Sequence, residues 1–201
     1  MLPTPPMPAS DATVPVLRHG RMAMAFHWLL AVMRTLSFSV GLYMTDLPFS
    51  MMRLRLFNWH KWAGVTILLL SALRLFWRLA HRPPPLGARI EAAMPGWQRW
   101  AHQSTLGAMY VLFIVVPLMG WASTSARGYP IVWFGVWPLP DFVPVDRGLA
   151  DHLFTPLHRA GAFLLAGLVL LHMTAVLKHH FIDHDGLLAR MWPAPRKKEI
   201  P

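Results

Sequence analysis

The stretch Leu157–His180, LHRAGAFLLAGLVLLHMTAVLKHH, decides the fold. It is apolar for longer than the ~20 residues that cross a hydrocarbon core of about 30 Å, so it reads as a membrane-spanning helix. Inside it stand two histidines, His158 and His172, fourteen residues apart. Fourteen residues at ~3.6 per turn is close to four turns, so both imidazoles lie on one helix face, about 21 Å apart in depth. Ionisable side chains at that depth are costly and mark function. The rest of the chain is expected to meet these two rings from facing helices.

Composition agrees with lipid as the solvent. Of 201 residues, 55% are hydrophobic and 14% charged, with a mean hydropathy of +0.38. A soluble domain carries about 25% charged residues. Cysteine is absent, which removes disulfides, thiolate zinc sites and iron–sulfur clusters from what this chain alone can build. The net charge of +10 does not form one solvated face for nucleic acid. The basic residues cluster at the ends of apolar runs, as in membrane proteins.

Three more apolar runs precede the first: Met22 to Met44, Trp59 to Leu79 and Trp97 to Trp121, with the last run covering Phe154 to Phe181. Backbone amides in lipid must be satisfied within the segment, so each run is expected to be helical. Pro117 falls inside the third run, where it is expected to bend the helix. The fold class is therefore an all-α membrane protein, an up-and-down four-helix transmembrane bundle in lipid. Residues 1–17 are Pro-rich and lack the basic and apolar regions of a secretory signal, so they read as a disordered tail. Residues 18–193 form the helical domain, and 194–201 form a basic C-terminal tail. The long third connection contains YPIVWFGVWPLPDFVP, which reads as a cap along the membrane surface. Twelve of the 19 Lys and Arg residues lie in or beside the N-terminal tail, the second connection and the C-terminal end. Six lie beside the first and third connections, and Arg34 stands alone within the first run. The positive-inside rule then puts both termini in the cytoplasm.

On this topology four histidines fall into two levels. His27 and His172 lie near the cytoplasmic side, and His60 and His158 near the outer side. Neutral imidazole is an axial ligand for haem iron, and two on facing helices close both axial positions. Such a centre passes electrons, and two at different depths form a relay. Gly161 and Ala162, one turn from His158, read as small residues leaving room for a flat macrocycle. A zinc or nickel ion would need three or four ligands at one point, and these histidines separate into twos. His19, His81, His102 and His184 read as interfacial polar residues, and the scattered methionines as core filling. His179, about two turns beyond His172, is a candidate for a haem propionate or a quinone head group, or equally a solvated helix end beside Lys178.

These residues carry a resemblance. RMAMAFHWLLA with His27, NWHKWAG with His60, YVLFIVVPLMGW, RGYPIVWFGVWPLP and LHRAGAFLLAGLVLLHMTAVLKHHFIDHDGLLARMWP together resemble the bacterial cytochrome b561 family of di-haem inner-membrane proteins. The match covers about residues 18–193. The resemblance implies two b haems, one held by His27 and His172 and the other by His60 and His158, the pairs that spacing also gives. It implies a multi-pass protein of the bacterial inner membrane that exchanges electrons with ubiquinone. Members of one type oxidise superoxide at the periplasmic face, and for them Lys61, Arg127, Arg147 and Arg159 would steer the anion. The alternatives are an anchor subunit relaying electrons for a hydrogenase or dehydrogenase partner protein, and a haem-free membrane binding or transport protein. The chain departs from the family at Leu106, where a histidine is common, with His102 one turn earlier, and at Arg34, where relatives are apolar.

Overall fold

The structure, a computed structural model, describes residues 17–81, 84–85, 95–184 and 186–192. The expected tails at 1–17 and 194–201 lie outside these residues except for Leu17.

Four helices are long and apolar enough to cross a membrane: α1 (Arg21–Asp46), α2 (Met51–Ala80), α3 (Gly96–Ala126) and α4 (Arg147–Asp183). Each is longer than its apolar run. α2 starts at Met51 rather than Trp59 because Ser50 caps it, its hydroxyl accepting from the Arg53 amide at 3.3 Å. Arg53 and Arg55 hide this first turn from a hydropathy reading, and Arg53 lies over the Phe57 ring one turn on. α3 runs on to Ala126 and carries Pro117 inside it. It ends where the Arg127, Gly128 and Tyr129 amides donate to the last carbonyls and Gly128 turns left-handed at φ 74°. α4 starts at Arg147, capped by Asp146, whose Oδ1 accepts from the Leu149 amide at 3.0 Å. It contains a π turn at Ala150–Phe154 and closes in another at His179–Asp183.

The helices alternate in direction. α1 packs on α2, α2 on α3, and α3 on α4. α1 and α4 meet through Phe38 and Phe163, whose ring centres are 5.7 Å apart. The core between them is thin, and Thr155–Lys178 of α4 has no fully buried residue. Apolar side chains such as Leu36, Phe76, Leu164 and Leu170 point outward. A soluble protein rarely exposes apolar surface on this scale, whereas lipid accepts it.

The two ends of the bundle differ. At one end the chain termini are fastened together. The His19 amide donates to the Arg190 carbonyl at 3.0 Å, and Trp28 Nε1 donates to the Met191 carbonyl at 2.9 Å. Arg190, buried in a short 3-10 helix (Leu188–Met191), donates to the Pro84 carbonyl at 2.6 Å. At the other end the aromatic connection forms a small antiparallel hairpin, β1 (Val132–Trp133) and β2 (Trp137–Pro138). Its turn needs positive φ at Phe134 (52°) and Gly135 (74°). Trp62 Nε1 donates to the Val132 carbonyl at 2.7 Å, and Trp133 Nε1 to Thr66 Oγ1 at 3.3 Å, which ties the hairpin to α2.

Candidate functional site

The histidines sort by these two ends. At the hairpin end, α2 supplies His60 and α4 supplies His158, with ring centres 6.1 Å apart and planes at 86°. Each ring is held by the helix beside it. His60 Nδ1 lies 3.1 Å from the Ser37 carbonyl of α1, with Ser37 Oγ at 3.2 Å. His158 Nδ1 lies 2.8 Å from the Val116 carbonyl of α3, the residue before Pro117. A carbonyl only accepts, so each Nδ1 carries the proton and each Nε2 keeps its lone pair. Metal-binding histidines are oriented in this way by their second nitrogen.

Two glycines complete the cradle. A Cβ on Gly41 of α1 would stand 3.2 Å from His60 Cε1, and one on Gly120 of α3 would stand 3.0 Å from His158 Cε1 and Nδ1. A Cβ at either position would require the imidazole to give way by a few tenths of an ångström. Gly161, expected to leave room beside His158, has a close neighbour on α3. Its Cβ would come within 2.9 Å of Val116 Cγ2, so it lets α4 approach α3.

The two rings face each other across the bundle, and His60 and His158 would be the residues to hold a metal-containing group there through Nε2. The donor set is two neutral nitrogens without thiolate or carboxylate, which suits haem iron, and a haem bound there would supply one-electron chemistry.

The end near the termini is built differently. His27 of α1 has Nδ1 3.3 Å from Arg74 Nη2 of α2 and packs edge-on to Trp28. A guanidinium only donates, so His27 Nδ1 accepts here. His172 is a neighbour of His27, and Arg74 is a neighbour of both. No ring contact joins His27 to His172 among the described residues. His102 of α3, one turn before Leu106, neighbours His172 and His179. His179 Nδ1 lies 3.1 Å from Asp183 Oδ2, which Lys178 Nζ also contacts at 2.6 Å.

The four basic residues expected to steer an anion are not equivalent. Arg127 pairs with Asp151 at 2.6 Å and donates to Thr155 Oγ1 at 3.1 Å, so its charge is compensated. Lys61, Arg147 and Arg159 form no ion pair among the described residues. Sequence reasoning missed Gly41, Gly120, Ser37 and Val116. These sit on helices that carry neither His60 nor His158, and only the packing shows which of their atoms meet a ring.

Four lipid-compatible helices with imidazoles paired inside the bundle define a membrane cytochrome of the electron-transfer class. The chain belongs to the prokaryotic cytochrome b561 family, whose profile matches residues 18–194. Membership brings haem b, transmembrane helices and electron transport in a bacterial membrane. Among curated proteins it is 30% identical to cytochrome b561 homolog 2 of Escherichia coli (strain K12) over 184 residues, 87% of this chain and 90% of the relative. It is also 30% identical over 141 residues to the probable superoxide oxidase CybB of Yersinia pestis, covering 68% of this chain and 74% of that protein.

Proposed function

We propose that the chain carries electrons through two b haems, one ligated by His60 and His158 at the hairpin end and one by His27 and His172 at the end near the termini. The termini face the cytoplasm and the hairpin faces the periplasm, in keeping with the distribution of Lys and Arg. The observation that carries the reading is the His60–His158 pair, 6.1 Å between ring centres, each Nδ1 held by a carbonyl and each ring fitted against a glycine. Bound haem supplies reversible one-electron chemistry. At the hairpin end the protein's part is to hold both ligands, keep the Nε2 of His60 and His158 unprotonated and exclude water from the centre; at the other end, ligation through His27 Nε2 would require the Arg74 contact at Nδ1 to open.

The electron acceptor is quinone in the membrane, and the donor at the hairpin face is superoxide. Support for the donor comes from the Yersinia pestis relative's name and from Lys61, Arg147 and Arg159. A cationic surface raises the encounter rate of an anion. The test is quinone reduction by the purified protein under a superoxide source. A rate that rises with protein supports superoxide as donor. A rate unchanged by the protein, in a sample that retains its haem, rejects superoxide and returns the choice to a partner dehydrogenase.

A further inference from the structure

The half-buried cation Arg34 is not used by the reading above. It lies in the middle of α1, seven residues after His27 and seven before Gly41, so all three share a helix face. Side chains on a helix lean toward its N-terminus, which carries the guanidinium toward the His27 end. There Nη2 donates to Ser71 Oγ of α2 at 2.7 Å, and the guanidinium carbon lies 3.5 Å from the centre of the Phe113 ring of α3. Ser71 is 3% exposed and donates its own proton to the Ile67 carbonyl. Arg34 Nε is buried without a hydrogen-bond partner.

None of these contacts neutralises the charge. A hydroxyl and an aromatic face solvate a cation but carry no negative charge. The ion pairs of the described residues are Arg127–Asp151, Lys178–Asp183 and His179–Asp183, and none involves Arg34. Arg74, three residues beyond Ser71 and in contact with His27, adds a second positive charge on the same side. An uncompensated guanidinium at bilayer depth is costly and is functional by default.

We propose that Arg34 raises the reduction potential of the haem nearest the termini and so separates the two haems in potential. The proposal rests on the two-haem reading. Reduction adds one negative charge to a centre, so a fixed cation nearby favours the reduced form, and low dielectric lets that effect act over several ångströms. Among the described residues no cation hydrogen-bonds His60 or His158, and of the cations at that end Lys61 is half-buried while Arg147 and Arg159 are exposed and screened by solvent. His60 and His158 instead donate from Nδ1 to carbonyls, which makes them more basic ligands and favours the oxidised form. The chain therefore places opposite influences on its two centres. Arg34 acts as a positioning residue for charge, and it touches neither ligand.

The test is a potentiometric titration of the haem-loaded protein, with haem quantified, for the wild type, Arg34→Met, Arg34→Gln and Arg34→Lys. Both haems are expected to stay bound. In Arg34→Met one midpoint falls by about tenfold in the reduction equilibrium, 59 mV for one electron. The other moves less, and Arg34→Lys restores most of the fall. Arg34→Gln is read in the same way should Arg34→Met lose haem. Unmoved midpoints, equal movement of both, or a lysine variant as low as methionine overturns the proposal. So does haem loss in both neutral variants with retention in lysine, since that makes Arg34 a structural residue. A wild type without two haems overturns the underlying reading instead, which keeps the two failures distinct.

Discussion

At the scale of single residues, the site depends on atoms that crowd the imidazoles as much as on the imidazoles themselves. Gly120 is the sharper case, because a Cβ there would lie 3.0 Å from two atoms of His158. Gly120→Ala is expected to displace the ring and reduce bound haem to about half, read from the haem-to-protein ratio. Gly41→Ala, with its nearest approach at 3.2 Å, should cost less. Equal haem content in Gly120→Ala and wild type would show that the ring is not held where the cradle puts it. That His158 and His172 share one helix was legible in the sequence, because a spacing of fourteen is a property of one apolar run. Gly41 and Gly120 were not legible. Their role depends on how α1 and α3 rotate against neighbours, and many glycines in apolar runs, such as Gly64 and Gly107, meet no neighbouring atom within 4 Å.

At the scale of elements, the four helices were visible as apolar runs, but their ends were not. Ser50 and Asp146 are ordinary N-cap residues, and each extends a helix through charged residues that a hydropathy reading assigns to a connection. The hairpin was legible as an aromatic cap but not as strands, since two-residue strands fall below any periodic pattern. Its attachment is testable. Trp62→Phe removes the hydrogen bond to Val132 and is expected to cost about 1 kcal/mol locally. Amide exchange in 131–139 should quicken while haem content is unchanged. The clasp of the termini makes a pH prediction. Burial, then the positive charges of Arg190, Arg78 and Arg74, lower the His19 pKa from its ordinary value. Folding therefore favours neutral His19. The unfolded chain binds the extra proton first, so stability falls as pH drops below the ordinary value near 6.5. Thermal unfolding between pH 7 and about 5 should show this loss, and His19→Gln should flatten it. An identical pH slope in both proteins would remove His19 as the cause.

At the scale of the whole molecule, the bundle presents two ends of different chemistry to two sides of a membrane. Its orientation can be measured cleanly because the chain has no cysteine. Val136→Cys, in the exposed hairpin, should react with a membrane-impermeant maleimide in intact cells whose outer membrane is permeable. Leu17→Cys should react only after the inner membrane is opened. The opposite pattern would invert the topology and place superoxide chemistry on the wrong side. The central claim is that paired histidines hold two haems at two depths, and it is tested most directly by counting haem. The wild type, reduced with dithionite, is expected to show a b-type absorption band and about two haems per chain, and His158→Ala about one, with His27 and His172 still ligating theirs. A colourless wild type, or a His158→Ala protein that keeps both haems, would contradict it.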